Sequence, residues 1–147
     1  MKKCLFFFAV CLLLAFPAFA QTAAEIERLL YTDSVTYEQA AWFVLRAADV
    51  EVFSPMRAFG QAAEQNWLPG NVGPADKAAL DVISLLIMRS FDLKGGLFYS
   101  LLKNPHYAYR ELVYKDIIRG RTDPGMAVSG DLLLFMVSEV LTAVEGN

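Results

Sequence analysis

Residues Ala108–Leu141 read AYRELVYKDIIRGRTDPGMAVSGDLLLFMVSEVL, and they align without a gap on a stretch fifty residues earlier. That stretch is Ala58–Phe91, AFGQAAEQNWLPGNVGPADKAALDVISLLIMRSF. Four positions are identical: Ala58 and Ala108, Gly70 and Gly120, Pro74 and Pro124, Asp81 and Asp131. What repeats more fully is the punctuation. A helical pattern runs into a Gly stop, then a turn with Pro, then a second helical pattern. A fixed period of this size marks stacked supersecondary units, none of which buries its apolar face alone. Val35–Ala41 matches the second half of such a unit, with Val35-Thr36 on Val128-Ser129. The expectation is an all-α fold of three helix pairs, whose long helices open at Thr36, about Lys77 and Ser129.

The intervening chain fits that plan. Gln21–Tyr31 places Ile26, Leu29 and Leu30 at helical spacing and reads as a short leading helix. Thr36 with Gln39 forms a capping box, and Ala40, Phe43, Val44 and Ala47 make an apolar stripe that Ala41, Trp42 and Leu45 widen. A helix this apolar is expected to be buried on more than one side. Ser54-Pro55 opens the next helix, with Pro69-Gly70 as its stop. The helix from about Lys77 to Leu93 ends before Lys94-Gly95-Gly96. Leu97–Leu102 is a short apolar helix or turn closed by Asn104-Pro105, His106–Ile118 is helical, and Ser129 caps a last helix running to about Val144. No stretch alternates with period two for long enough to form a strand.

The first twenty residues belong to a different class. Lys2 and Lys3 precede the apolar run Leu5–Phe16, and Ala18-Phe19-Ala20 is an A-x-A site. The pattern predicts a secretory signal peptide, residues 1–20, cut after Ala20, and a mature domain over 21–147. The apolar run falls short of the ~20 residues that a membrane span needs. Both cysteines, Cys4 and Cys11, lie in this leader, so the mature chain has no thiol for a disulfide or a metal. Lipidation of Cys11 is the alternative, although Phe8-Ala9-Val10 is a poor lipobox. Without Lys2 and Lys3, 11 basic residues face 16 acidic ones, a net charge of −5. An acidic chain without a basic stripe argues against a nucleic-acid partner.

From Ala108-Tyr109 through Ile117-Ile118-Arg119-Gly120, Pro124 and Val128-Ser129 to Val140-Leu141, the chain resembles the S-layer homology domain. Val35–Ala47, VTYEQAAWFVLRA, resembles the second half of the same unit. The resemblance covers roughly Val35 to Leu141. It implies three helix-pair units packed as a pseudo-threefold bundle, with binding grooves between the units. The family's groove Arg falls here on Tyr37, Leu80 and Gly130, and its Glu on Gln39, Val82 and Leu132, so the wall-polymer motif is absent. Residues 95–112, GGLFYSLLKNPHYAYREL, resemble instead a segment of small envelope domains of spirochaete type.

Candidate ligand residues fall in two clusters. Tyr99, His106, Tyr107 and Arg110 combine aromatic faces with donors, which suits sugar rings; the alternative is a core role with phenol tips at water. Arg119, Arg121 and Asp123 surround Gly120 and suit an anionic group; the alternative is helix-end and turn chemistry. The only histidine, His106, has no second His or Cys to join it, so no metal site and no cofactor are expected. Glu38, Asp81 and Asp131 share one position in the first turn of their helices, where the positive helix end favours them. No G-x-S-x-G, Walker loop or H-E-x-x-H occurs, and no catalytic residue is assigned. These readings predict a periplasmic, non-catalytic binding module of the cell envelope. Its partner would be a cell-wall glycan or an envelope protein. The alternative is an assembly protein that works through protein contacts or oligomerisation.

Overall fold

A computed structural model of the protein describes residues 22–146, so the leader expectation for residues 1–20 lies outside the described residues. Among the described residues the structure is all-helical. It comprises α1 (22–30), α2 (Tyr37–Ala47), α3 (Pro55–Glu64), α4 (Leu80–Ser90), α5 (Leu97–Leu102), α6 (Pro105–Tyr114) and α7 (Gly130–Glu145).

The three long helices start from one knot of backbone. The Val35 N–H donates to the Val128 carbonyl, the Ala78 N–H to the Val35 carbonyl and the Val128 N–H to the Ala78 carbonyl, each at 2.9 Å. The cycle therefore closes on itself, and all three residues have no exposed surface. A second tier surrounds it. Tyr37 N–H donates to Asp76 O at 3.1 Å, Leu80 N–H to Met126 O at 3.0 Å and Gly130 N–H to Thr32 O at 2.8 Å. These bonds use amides in the first turns of α2, α4 and α7, which have no partner inside their own helices. The segments that carry them are too short for strands and form only isolated bridges, Thr36 with Lys77 and Ala79 with Ala127.

This knot explains a correction to the sequence reading. The middle long helix opens at Leu80, three residues after Lys77, because Ala78 and Ala79 stay extended to pair with neighbouring segments. Capping at Thr36 and Ser54 follows the sequence, whereas Ser129 holds the N-cap position of α7 without a side-chain cap bond, its hydroxyl lying with Asp131 instead. Thr36 and Gln39 form the full capping box, and Ser54 Oγ and Asn104 Oδ1 accept from Arg57 and Tyr107 N–H. Asn104-Pro105 opens α6 rather than closing α5, whose end is Lys103 in the left-handed region.

The helix stops also differ from expectation. Gly70 lacks a positive φ, and α3 ends well before it. Asp49, Asn66, Asp92 and Asp116 take the left-handed conformation after α2, α3, α4 and α6. In each case the next residue is apolar, and its N–H returns to the carbonyl of the helix's third-from-last residue. Val50 bonds Leu45 at 2.9 Å, Trp67 bonds Ala62 at 2.8 Å, Leu93 bonds Met88 at 2.9 Å and Ile117 bonds Leu112 at 3.0 Å. This is the Schellman arrangement with Asp or Asn where Gly is commonest. Gly120 is the one glycine that needs its freedom, at φ 80°.

α4 is the central helix. Every residue from Val82 to Met88 is buried, because α6 lies on one side of it and α2 on another. α2 packs on α3 and touches α7, so its buried face is Ala40, Ala41, Val44 and Leu45. The partner helices present small or compact side chains to these contacts: Ala58 and Ala62 from α3, Ala108 and Leu112 from α6. Full burial of each Leu or Ile in this core contributes roughly 1.5–3 kcal/mol.

Candidate functional site

α1 is exposed along most of its length and leans on α2. Between them lies a groove of about 510 Å³, which Pro55 at the start of α3 also lines. Its walls are Ile26 and Leu29 from α1 and Trp42 and Phe43 from α2. The mouth is polar. Arg46 Nη1 donates to Glu25 Oε2 at 3.0 Å across the groove, and its guanidinium sits 4.6 Å from the Trp42 ring centroid. Trp42 and Arg46 are one helical turn apart on α2, which is why they stack. Both partners of the ion pair are about two-fifths exposed, so water and ligands reach it.

The same chemistry recurs, inverted, where α6 leads into α7. In the register that matches Tyr37 with Gly130, Phe135 stands where Trp42 does and Glu139 where Arg46 does. Here the charge order is swapped. Arg119 Nη2 donates to Glu139 Oε2 at 2.7 Å, and the guanidinium lies 5.3 Å from the Phe135 centroid. Arg119 Nε also donates to Asp116 O at 3.0 Å and Asp116 Oδ2 at 3.1 Å. Arg119 thus serves the end of α6, the second of the two roles its sequence position allowed. Asp123 takes the turn role: its Oδ1 accepts from Gly125 N–H at 2.8 Å. Arg121 is exposed on the same loop.

The aromatic cluster divides. His106 meets Tyr107 edge-to-face with centroids 5.2 Å apart, and Phe98 stacks on Tyr107 at 5.6 Å. Arg110 is exposed one turn further along α6. Tyr99 is 4 % exposed and turns inward. It lines a small cleft of about 260 Å³ with Trp67, Arg89 and Asp92, away from the other three. Burial pushes its phenol above the ordinary value, with Arg89 opposing.

The carboxylates Glu38, Asp81 and Asp131 each stay at their own helix start. The Ser129 hydroxyl beside Asp131 holds its carboxyl below the usual carboxylate range. Asp81 Oδ1 accepts from Val82 N–H at 2.7 Å. Among the described residues no three His, Cys, Asp or Glu side chains gather in a way that would hold a metal ion.

The positions that carry Arg in the resembled family are occupied in a way that leaves no place for one. Tyr37 is buried, with its hydroxyl accepting from Ala79 N–H at 3.1 Å. Leu80 is fully buried. At Gly130 a Cβ would overlap the Leu29 carbonyl oxygen. Sequence reasoning placed Trp42 within the apolar stripe and did not single out Arg46 or Glu25. The Trp-x-x-x-Arg spacing on α2 was the available signal; the Glu25 partner comes only from the tertiary fold.

Comparison of the chain with family models, with curated proteins and with solved structures finds no match.

Proposed function

We propose that this chain is an exported, non-catalytic binding module of the cell envelope, built from three helix-pair units in the manner of an S-layer homology domain. Its ligand is a cell-wall saccharide that carries a carboxylate, held in the groove between α1 and α2. The observation that carries this reading is the mouth of that groove, where Arg46 is stacked on Trp42 and shared with Glu25. An incoming carboxylate exchanges with Glu25 for the guanidinium, which binds such groups in bidentate fashion. The apolar wall of Trp42, Phe43 and Ile26 then faces the C–H side of a sugar ring. The closed knot at the helix starts supports the three-unit reading, since it treats Val35, Ala78 and Val128 alike.

Retention on purified peptidoglycan tests the proposal. Wild-type protein is expected in the pellet, and Trp42→Ala and Arg46→Ala in the supernatant with unchanged circular dichroism. Equal pelleting of all three would remove the groove from the account.

A second reading is favoured by α7. α2 is covered by α3 and α4 by α6, whereas Leu141 and Val144 on α7 are exposed. An assembly role would use that face. Sedimentation of the chain as a strict monomer counts against it.

A further inference from the structure

We propose that α5 is a membrane-surface anchor, a short apolar wedge that enters the interface of a bilayer containing anionic lipid. Of its six residues, Leu97 is 79 % exposed, Phe98 63 %, Leu101 77 % and Leu102 51 %. Four large apolar side chains standing in water on one turn and a half of helix is a feature that soluble surfaces rarely carry without use. The helix is nonetheless firmly mounted. Tyr99 is its buried root, the Gly96 N–H donates to Glu111 Oε1 at 2.8 Å, and Phe98 stacks on Tyr107. A Cβ at Gly95 would meet the Tyr99 ring at 2.5 Å, so the tight Gly95-Gly96 approach is what lets the root seat.

The form of the patch selects a bilayer over a protein partner. Of the large side chains of α5 only Tyr99 is buried, so the others make a projecting tip, and the small cleft at its foot, edged by Arg89, Asp92 and Lys103, is more polar than apolar and suits no apolar partner side chain. A fluid interface accommodates such a tip without matched shape. The charges agree. Lys94 and Lys103 bracket the helix at its two ends, and both are exposed. Their apolar stems follow the wedge inward while the ammonium groups stay at headgroup level, where anionic lipids attract them. Tyr114, exposed one turn beyond Glu111 on the neighbouring α6, adds an aromatic ring of the kind that favours the interface. Among the described residues no helix is long and apolar enough to cross a membrane, so attachment through α5 is peripheral.

The test reads the position of α5 itself. In the mature chain, residues 21–147, which has no cysteine of its own, an environment-sensitive fluorophore is attached at Leu101→Cys, or in a control protein at Phe53→Cys, which is 81 % exposed. Both proteins are mixed with vesicles of phosphatidylethanolamine and phosphatidylglycerol. The Leu101 probe is expected to brighten severalfold and shift to the blue, and the Phe53 probe to stay unchanged. Adding Lys94→Gln and Lys103→Gln, or raising the salt, reduces the response. Vesicle-bound protein with an unchanged Leu101 probe would show attachment by another segment and overturn the proposal. So would a response that appears without vesicles and grows with protein concentration, which marks a second copy as the occupant. A response equally strong on vesicles of phosphatidylcholine alone would overturn the role given to the lysines.

Discussion

The knot at the starts of α2, α4 and α7 and the grooves at the outer edges of those helices are built from opposite materials. The knot is backbone. Its bonds run between amides and carbonyls of Val35, Ala78 and Val128, with the Tyr37 hydroxyl bracing the edge at Ala79 N–H. The outer junctions are side chain. One has Trp42, Arg46 and Glu25, and another has Phe135, Glu139 and Arg119 with the charges exchanged. Backbone bonds stay the same when residues change, so the inner region tolerates Val, Ala and Val at matched positions while keeping its geometry. The outer region can be rewritten junction by junction, which is where a ligand preference belongs. Architecture thereby rests on backbone at the helix starts, and variable side-chain chemistry on the outer junctions of α2 and α7.

The largest effect that would break this contrast is expected at Gly130. Gly130→Ala drives a Cβ into the Leu29 carbonyl oxygen, so the α1–α2 connection must move and the Thr32 bond is strained. The cost is expected at about 3 kcal/mol or more, measured as a lower denaturation midpoint in urea. Gly70→Ala, whose Cβ meets open space at the loop after α3, is the control and is expected to stay within about 0.5 kcal/mol of wild type.

Tyr37→Phe comes next. It deprives the Ala79 N–H of its acceptor, and a part-buried donor left unpaired costs about 1–3 kcal/mol. The same residue sets a pH dependence. Burial raises the phenol pKa of Tyr37 above 10, as it does for Tyr99. The unfolded chain therefore loses these protons first, and stability falls as pH rises past the ordinary tyrosine value. Denaturant midpoints measured above that value are expected to drop less steeply in Tyr37→Phe than in wild type.

The outer junction is expected to respond differently. Arg46→Ala and Glu25→Gln break an exposed ion pair and are expected to change stability by less than about 1 kcal/mol, whereas on the proposed function Arg46→Ala is expected to lose retention on peptidoglycan. The smallest effect is at Asp131. Its carboxyl is held below the usual range, so the stability it lends is present above the unfolded carboxylate value and is lost as pH falls through the folded one. Asp131→Asn is expected to lower the urea midpoint slightly at neutral pH and to flatten the acid limb, so that variant and wild type converge at low pH.

The helices were legible in the sequence wherever a side chain cap or an apolar stripe wrote them. Thr36 with Gln39, Ser54-Pro55 and the run from Val82 to Met88 are such places. Val35 and Val128, aligned in the sequence as repeat positions, are joined by a hydrogen bond. Two things were hidden. Glycines mark the expected helix ends, whereas Asp49, Asn66, Asp92 and Asp116 take the left-handed position, each followed by an apolar residue whose N–H turns back onto its helix. The apolar period points to a start of α4 at about Lys77, and the extended pairing that delays it to Leu80 leaves no period to detect. The candidate site was legible only in fragments. His106 and Tyr107 are close in sequence and in space, but the inward turn of Tyr99 depends on the Gly95-Gly96 approach. The Trp42–Arg46–Glu25 mouth depends on how α1 lies on α2.

Native-state hydrogen exchange at the amides of Val35, Ala78 and Val128 tests the closed knot most directly. If each bond holds the other two, all three amides exchange only when the whole protein unfolds, with one common opening free energy equal to the global value. Should any one of them exchange as readily as the amides of α1, the three helix starts are not a single unit, and the architecture does not rest on the backbone knot.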